Sequence, residues 1–542
     1  MKIKSNRRKP SIFVYSLFSH CPDPLPTPHP VPLSPGFDRL AVFPITVIGN
    51  DVFCDLPAKP IGKELQRVTP PHKCSHSAIN DARHFVVVGA GPAALAAAET
   101  WRAEGFTGRI TLLNKEPGLP YDRTKLSKDM SANRSSCEIR PRSWFTEAKV
   151  TLREESEVYA VKSAEKRVVL STGEEIPYDS LLCASGGPAR TFREDANEGF
   201  FTPGAQLGNI FVLRTVEQSL EAETAIEAVV KSGGSIVIIG TSFIGMEAAA
   251  YIVTDKGQCD LTVVGMEGRP FERVLGTNVG QVLQELHVSK GVKFLMNAKA
   301  TRFLPSATSP LNVGSVELGD GLKLKADIVI IGSGIVPAVS YLSSTVGVEL
   351  RKGPPGGIIV DENMRAADSI YAAGDVALFP SIHGTQASVR IEHWDVAIDQ
   401  GRAAARNMLR PTAPVPYRNV PFFWTRQYAK NIRYAGHSER FSLPGGEIII
   451  HGRLDATAPL VSSFIAYYIE NNAVAAVATY DKDPYAVAAL ELFRINQLPT
   501  VAMLKDTKNM PPNAPLDLVA FLEKANVSTT TTRASSVSVT KR

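Results

Sequence analysis

The sequence predicts an α/β fold with two Rossmann-like units and a smaller α+β region towards its C-terminal end. An apolar strand over residues 85–88 runs into a glycine turn and an alanine-rich helix over about residues 92–104, and the strand RITLLN follows. The same pattern returns from Ser235, and its first glycine, Gly240, lies 151 residues after Gly89. Internal duplication of a βαβ unit is stronger evidence for this fold than either copy alone.

The composition is that of a globular protein with several domains. The chain has 542 residues, of which 44% are hydrophobic and 21% charged, and this length is too great for one core. Although the net charge is +5, no basic run is interleaved with aromatic residues, so no nucleic-acid surface is predicted. No apolar run reaches the roughly 18 residues of a membrane-spanning helix, so no membrane span is predicted either.

The cysteines argue against a metal site and against a redox-active dithiol. No two of them have the CxxC or CxxxxC spacing that such sites need. We therefore expect reduced thiols in an intracellular protein and no bound metal. The six cysteines are Cys21, Cys54, Cys74, Cys137, Cys183 and Cys259.

The two ends of the chain differ in composition from the rest. The first 20 residues are basic and contain no acidic residue, which is typical of a weak mitochondrial presequence. We predict a cytoplasmic location, with a mitochondrial one as the alternative. Residues 57–83 are polar and rich in turn-forming residues, which predicts a linker. Residues 527–542 are of low complexity and are predicted to be a disordered tail.

Each βαβ unit contains a variant of the GxGxxG turn that binds a dinucleotide. The first glycine of this turn allows a sharp bend, the second admits a pyrophosphate close to the backbone, and the third packs the helix on the strand. The N-terminus of the helix then stabilises the phosphate charge. The first copy consists of Gly89, Gly91 and Ala94, and the second consists of Gly240, Ser242 and Gly245.

An acidic residue follows the second strand of each unit at the same position, Glu116 in the first copy and Glu267 in the second. Such a residue can bind ribose hydroxyls. Two dinucleotide sites in one chain predict two different cofactors, of which FAD and NAD(P)H are the economical pair. No arginine directly follows the second strand of the second unit, which favours NADH, although Arg269 is close enough to leave NADPH open.

Six further segments follow one another along the chain: EPGLPYDRTKLSK, SEVYAVKSAEKRVVLSTG, YDSLLCASGGPAR, SIYAAGDVALF, IEHWDVAIDQGRAAARNM and VPFFWTRQ. With the two glycine turns they resemble the FAD-dependent pyridine nucleotide-disulphide oxidoreductases. The resemblance is to the branch of ferredoxin and rubredoxin reductases and apoptosis-inducing-factor-like proteins, and it covers about residues 83–505. The cofactor-binding residues that it implies are Arg123, Lys128, Val158, Ser185, Gly186, Arg190, Gly334, Gly374, Asp375, His393, Trp394 and Trp424.

The resemblance also implies a catalytic ion pair beside the flavin, between Lys128 and Glu247, in which Lys128 favours the anionic reduced ring. Two residues depart from the family pattern. Lys115 stands where relatives often have an acidic residue, which moves the ribose-binding prediction to Glu116. Arg426 stands where relatives usually have a polar or acidic residue, which would alter the docking face.

The resemblance implies that an NAD domain interrupts the FAD domain. We expect FAD-binding parts over residues 81–210 and 332–420, an NAD-binding domain over residues 211–331, and a C-terminal reductase domain over residues 421–526. Residues 1–80 are expected to hold the linker and a degenerate Rieske-like remnant.

The Rieske expectation comes from the stretch SPGFDRLAVFPITVIGNDVFCDL. It resembles the closing strands of a Rieske [2Fe–2S] domain, which some apoptosis-inducing-factor-like proteins carry at this place. The complete CxH…CxxH ligand set that holds such a cluster is absent from the sequence. We therefore expect no iron–sulfur cluster in this chain.

The implied function is that of an FAD-dependent NAD(P)H oxidoreductase of the ferredoxin reductase type. Hydride would pass from NADH to FAD, and because no cysteine pair is available, the electrons would leave to an iron–sulfur protein or to another, small-molecule acceptor. Two alternatives stay open at this point: an NADH-sensing signalling flavoprotein with low turnover, and a monodehydroascorbate reductase. A homodimer is left open as well.

Overall fold

The computed structural model describes most of the chain from residue 81 onwards. The described residues are 81–194, 201–353, 356–381, 388–438, 441–506, 516–522 and 524, together with the backbone of four short strands before residue 81. The predicted tail over residues 527–542 lies outside them.

The first Rossmann sheet has six strands, which run parallel apart from one edge strand. Its strand His84–Val88 is buried along its whole length, as expected where helices cover both faces of a sheet. The helices Pro92–Ala103 and Trp394–Leu409 pack against each other beside this sheet. In spatial order its strands are Arg365–Ala367, Ile370–Ala372, Ser180–Cys183, His84–Val88, Arg109–Leu113 and Val150–Arg153.

The second Rossmann sheet has five strands, all parallel. In the sequence they lie between the two sets of strands that form the first sheet, so the second unit is inserted in the first, as the sequence predicts. In spatial order the strands are Ile210–Val212, Ile328–Ile331, Ser235–Ile239, Asp260–Val264 and Lys293–Leu295. The helices of this unit are Val216–Lys231, Phe243–Tyr251 and Glu272–Val288.

Smaller elements connect and flank the two units. One antiparallel sheet consists of Val158–Lys162, Arg167–Leu170 and Glu175–Pro177. A second consists of Ala300–Pro305, Val313–Leu318 and Lys323–Lys325. A mixed sheet consists of Leu350–Arg351, Gly357–Ile359, Ala377–Pro380 and Ser388–Val389. Short helices span Arg123–Lys125, Arg134–Cys137, Arg142–Glu147, Ile252–Lys256, Ser340–Leu342, Gly374–Val376 and Pro459–Val461.

The C-terminal region is an antiparallel sheet of five strands followed by the helices Tyr485–Arg494 and Val501–Lys505. One face of the sheet shares a buried core with the second Rossmann unit, to which Phe423 and Tyr468 contribute. The helices cover the other face. The sheet is therefore packed on the second unit, and its strands in spatial order are Phe422–Gln427, Lys430–Gly436, Ala473–Tyr480, Ser463–Glu470 and Gly446–Arg453.

Before residue 81 the described backbone consists of two antiparallel strand pairs. Ile45–Ile48 pairs with Asp51–Cys54, and Arg39–Leu40 pairs with Arg67–Val68. The first pair falls in the stretch that resembles a Rieske domain, and the identity of that stretch stays a prediction. Across the part of the chain that the structure describes, no helix combines the length and the apolar character needed to span a membrane.

Candidate active site

A cleft with a volume of about 1480 Å³ lies at the carboxyl ends of the strands of the first Rossmann sheet. It is lined by the first unit, by the helix Phe243–Tyr251 of the second unit and by the strand Phe422–Gln427. Ligands of open α/β sheets bind at this edge, and small-molecule sites typically measure roughly 300–1,000 Å³, so the cleft suits an extended ligand. The predicted site residues that line it are Gly89, Gly91, Glu116, Arg123, Lys128, Val158, Ser185, Gly186, Glu247, Gly374, Asp375, His393, Trp394 and Trp424.

The first glycine turn has the geometry that a phosphate site requires. Gly89 has a φ of +104°, and a Cβ atom there would lie 2.3 Å from the carbonyl oxygen of Ala184, so only glycine fits. A Cβ atom at Gly91 would meet nothing within 4 Å, which leaves open space in front of the helix that begins at Pro92. Ala94 is fully buried and lies behind the cleft wall. The helix N-terminus is thus accessible to an anion.

The side chain of Glu116 lies in the cleft, where neighbouring protein groups already bind it. Its carboxylate pairs with Arg123 and accepts a hydrogen bond from the Tyr121 hydroxyl at 2.6 Å. Arg123 also donates to the Tyr121 oxygen at 2.6 Å and to the backbone oxygen of Arg214 at 2.5 Å. Burial raises the pKa of Tyr121, so this hydroxyl stays protonated. The cofactor contacts of Glu116 and Arg123 stay predictions.

A second acidic side chain lies at the same end of the cleft. The Nζ atom of Lys115 lies 2.6 Å from Oε1 of Glu157, and both residues line the cleft beside Val158. The residue that replaces the usual acid in the sequence is therefore paired with an acid that directly precedes the strand Val158–Lys162. Sequence reasoning missed Glu157 because it lies 42 residues further along the chain.

The structure brings Lys128 and Glu247 together as an ion pair, and the catalytic role of this pair stays a prediction. Lys128 Nζ donates to Glu247 Oε2 at 2.8 Å, and the Glu247 side chain is only 6% exposed. The same oxygen accepts from Ser127 Oγ at 2.5 Å, and the other carboxylate oxygen accepts from Thr425 Oγ1 at 2.7 Å. Donors from the first unit and from the C-terminal sheet thus converge on a carboxylate of the second unit. No sequence pattern indicated that Ser127 or Thr425 belongs to the site.

Asp375 lies in the short helix Gly374–Val376, which begins at a glycine with a φ of +77°. Its Oδ2 atom accepts from Arg214 Nη2 at 3.3 Å. The backbone N–H of Gly374 donates to Oε1 of Gln400 at 2.8 Å. Gln400 is fully buried, and its Nε2 atom has no hydrogen-bond partner among the described residues. Sequence reasoning missed Arg214 and Gln400, since both come from distant elements.

Aromatic side chains form the wall of the cleft next to the C-terminal sheet. The ring of His393 stacks on Phe423, with centroids 4.4 Å apart. Burial, with a smaller contribution from His437, lowers the pKa of His393 to about 3, so the ring is neutral at physiological pH. Trp394 begins the following helix, and Trp424 is 37% exposed at the edge of the cleft. This wall is apolar and uncharged, as a flat ring system requires.

Ser185 and Gly186 line the cleft, whereas Arg190 and Gly334 lie outside its lining. The hydroxyl of Ser185 donates to the backbone oxygen of Ala338 at 2.8 Å. The backbone N–H of Arg190 donates to the carbonyl oxygen of Gly334 at 3.0 Å, so these two residues join neighbouring segments. Their contact with a cofactor stays a prediction.

The glycine turn of the second unit repeats the first. Gly240 has a φ of +111°, and a Cβ atom there would lie 2.5 Å from the Gly332 oxygen. A Cβ atom at Gly245 would lie 2.2 Å from the Gly240 oxygen, so helix and strand are packed as closely as the third motif glycine demands. Ser242 precedes the helix and donates from Oγ to the Gly332 oxygen at 3.1 Å.

Glu267 follows the second strand of this unit, as predicted. Its Oε1 atom pairs with Arg273 Nη2 at 2.7 Å, and its Oε2 atom accepts from Thr241 Oγ1 at 3.3 Å. Arg269 lies nearby, but its Nη1 atom donates to Gln284 Oε1 at 3.2 Å. The acidic side chain therefore lies beside the glycine turn, whereas the guanidinium of Arg269 contacts the following helix.

Comparison with known proteins agrees with this geometry. Residues 83–401 match the family model described as pyridine nucleotide-disulphide oxidoreductase. The chain belongs to this family. It is therefore an oxidoreductase that uses FAD and NAD(P)H, and the binding of these cofactors at the two glycine turns stays a prediction. In the described part of the chain, no group of three or more His, Cys, Asp and Glu side chains could hold a metal ion.

Individual relatives cover most of the chain. Apoptosis-inducing factor 3 of Mus musculus is 33% identical over 462 residues, which are 84% of this chain and 71% of that protein. Rhodocoxin reductase of Rhodococcus erythropolis is 33% identical over 65% of this chain and 78% of its own length. The solved covalent complex of putidaredoxin reductase with putidaredoxin is similar at a TM-score of 0.70 and 27% identity, over 82% of this chain and all of that one.

Proposed function

We propose that this oxidoreductase takes hydride from NADH and passes electrons to a separate iron–sulfur protein. The observation that carries the proposal is the composition of the cleft wall. It holds the Lys128–Glu247 pair and the exposed edge of Trp424, and no cysteine is among the described residues that line it. Disulfide reductases of this superfamily place a dithiol against the flavin, so a different exit for the electrons is required here.

The described residues fit FAD. The open space at Gly91 accommodates a pyrophosphate at the helix N-terminus, and the carboxylate of Asp375 is placed to accept from a ribityl hydroxyl. The apolar wall formed by His393 and Phe423 suits a flat ring. When bound, FAD supplies the redox chemistry, since it accepts hydride and releases electrons one at a time.

Within this frame, Lys128 provides a fixed positive charge in the cleft. Its ammonium group is partly exposed and is paired with a buried carboxylate, so it is held in one place. A cation there stabilises negative charge that develops on a reduced ring. Glu247 orients this cation. Because its own carboxylate is paired with Lys128, it adds no unpaired negative charge to the cleft.

NADH is favoured over NADPH by the charges beside the second glycine turn. The carboxylate of Glu267 can accept hydrogen bonds from a ribose diol and would repel a 2′-phosphate. Arg269, the residue that left NADPH open, contacts Gln284. Arg273 neutralises part of the charge of Glu267, but it is itself mostly exposed.

An iron–sulfur partner is favoured by two of the similar proteins. One is named a reductase of rhodocoxin, and the other is solved as a complex with putidaredoxin. In this chain the exposed residues Trp424 and Arg426 lie on one face of the strand that borders the cleft. This face is where we place the acceptor.

The test is to reconstitute the purified protein with FAD and mix it anaerobically with NADH in a stopped-flow spectrometer. We expect bleaching of the flavin within seconds, followed by rapid reoxidation when a ferredoxin or an artificial one-electron acceptor is added. A charge-transfer band that persists for minutes, with no acceptor-dependent turnover, would instead identify an NADH sensor. NADPH is the matched control, with slower reduction expected.

A further inference from the structure

A chain of hydrogen bonds runs from the Lys128–Glu247 pair along the interface between the C-terminal sheet and the helix Glu272–Val288 of the second unit. Thr425 is 1% exposed, and its hydroxyl lies 2.7 Å from Glu247 Oε1. Behind it, Gln427 Nε2 lies 3.4 Å from Thr425 Oγ1, and Gln427 Oε1 lies 2.8 Å from His287 Nε2. Tyr428 closes the chain, with its hydroxyl 3.0 Å from His287 Nδ1.

The negative charge of Glu247 gives this chain a direction. A carboxylate only accepts hydrogen bonds, so Thr425 must donate its proton to Glu247. The Thr425 oxygen is then left to accept from the amide of Gln427, whose carbonyl oxygen faces His287. That oxygen needs a protonated Nε2 on His287.

The environment of His287 is consistent with this direction. Burial lowers the pKa of His287 to about 4, so the ring carries one proton at neutral pH. With that proton on Nε2, Nδ1 is bare and accepts from Tyr428. Burial raises the pKa of Tyr428, so its hydroxyl keeps the proton it donates. Every donor from Tyr428 to Thr425 therefore points towards Glu247.

We propose that Thr425, oriented by Gln427 and His287, is a positioning residue that holds the Glu247 carboxylate in its pairing with Lys128. The inference rests on the proposed function only for the role of Lys128 towards the flavin. Thr425 belongs to the C-terminal sheet and Glu247 to the second Rossmann unit, and of these two residues Glu247 lines the cleft whereas Thr425 is buried behind it. The C-terminal sheet thus determines the position of a charge in the cofactor site.

The kinetic test uses Thr425→Val, which keeps the shape of the side chain and removes its hydroxyl. A hydrogen bond to a charged group contributes enough that we expect flavin reduction by NADH to slow about tenfold. The KM for NADH and the flavin content should not change. Thr425→Ser restores the donor and should recover the rate to within about twofold.

A matched control separates positioning from stability. Thr345 is also buried, and its hydroxyl donates to the backbone oxygen of Val161 at 3.1 Å, outside the cleft lining. Thr345→Val should reduce the melting temperature and leave the reduction rate unchanged. Equal rates for Thr425→Val and wild type would overturn the proposal, as would equal slowing by both valine variants.

A second readout does not need NADH or turnover. In the 15N NMR spectrum of the histidine-labelled holoprotein, His287 should show the tautomer protonated at Nε2, with its signals assigned by their loss in His287→Asn. In Glu247→Gln the new amide can donate to Thr425, which reverses the chain and moves the proton to Nδ1. A wild-type tautomer protonated at Nδ1, or no change in Glu247→Gln, would refute the directed chain. Failure of the wild type to be reduced by NADH would refute only the proposed function.

Discussion

At the scale of single residues, Asp375 is the side chain on which flavin retention depends most. It lies in the cleft after a glycine with positive φ and contacts Arg214. We expect Asp375→Ala to be purified largely without flavin, because a buried ribityl hydroxyl would lose its acceptor. The measurement is the ratio of absorbance at about 450 nm to that at about 280 nm. Asp368→Ala is the control, since the Asp368 side chain is 80% exposed and pairs only with Arg365 among the ion pairs described. Full flavin occupancy in Asp375→Ala would contradict a role of Asp375 in flavin binding.

Glu267 is the residue on which NADH affinity should depend. Removal of its carboxylate in Glu267→Ala takes away an acceptor for the ribose diol, and we expect the KM for NADH to rise about tenfold with little change in flavin content. The discrimination against NADPH should fall in the same variant. Steady-state kinetics with both nucleotides measure this, with Glu317→Ala on the neighbouring antiparallel sheet as the control. An unchanged KM would remove Glu267 from the nucleotide site.

Which residues were predictable depends on whether backbone or side-chain contacts define them. Gly89 and Gly240 were found because a positive φ and a close carbonyl exclude other residues, and that constraint leaves a local sequence pattern. Glu116 was found as an acid at the expected position, but its pairing with Arg123 was not. Thr425 gave no signal at all, because its partner Glu247 lies 178 residues away.

At the scale of elements, the strand Phe422–Gln427 has two different faces. Thr425 and Gln427 are buried against the second Rossmann unit, whereas Trp424 and Arg426 are exposed. This alternation follows from the two-residue period of a strand. One face of this strand therefore contacts the second Rossmann unit, and the other face is exposed and includes Trp424 at the edge of the cleft.

The exposed face of this strand is where a charge change should affect the acceptor alone. Iron–sulfur electron carriers that dock on a basic residue are steered by charge, so Arg426→Glu should reduce kcat/KM for an acidic ferredoxin by about tenfold at low salt. The effect should shrink as the ionic strength rises. Reduction of the flavin by NADH, and turnover with a small uncharged dye, should stay as in the wild type.

Arg351→Glu provides the matched charge reversal, because Arg351 is exposed on the mixed sheet, outside the cleft lining. It should leave the ferredoxin kinetics unchanged. Equal losses in both variants would show that only the overall charge matters and would refute a docking face at Arg426.

At the scale of the whole molecule, the two-unit architecture was predictable because both βαβ copies repeat one strand–turn–helix pattern at one spacing. The packing of the C-terminal sheet on the second unit was not predictable. In the sequence, Phe423 and Tyr468 cannot be distinguished from other core residues until their packing partners are known. A directed hydrogen-bond chain across that interface is a property of three segments together. No local pattern encodes it.

Among the described residues, three histidines have lowered pKa values, and this predicts how stability depends on pH. Burial lowers the pKa of His84, of His287 to about 4 and of His393 to about 3. Between the unfolded-state pKa of about 6.5 and these values, the unfolded chain binds more protons than the folded one. Stability should therefore be complete above about pH 6.5 and fall as the pH is lowered through this window.

Each proton that the histidines bind on unfolding changes the unfolding free energy by about 1.4 kcal/mol per pH unit. Glu392 and Asp399 reduce this slope, because burial raises their pKa values and the folded chain takes up protons there. Thermal unfolding of the holoprotein between pH 7.5 and pH 5 avoids Asp81 and Glu154, whose pKa values are lowered by their arginine partners and which titrate at lower pH. His287→Gln retains a hydrogen-bonding side chain at the interface but cannot take up a proton. Its melting temperature should change less with pH than that of the wild type. An identical pH dependence would mean that folding does not lower the pKa of His287.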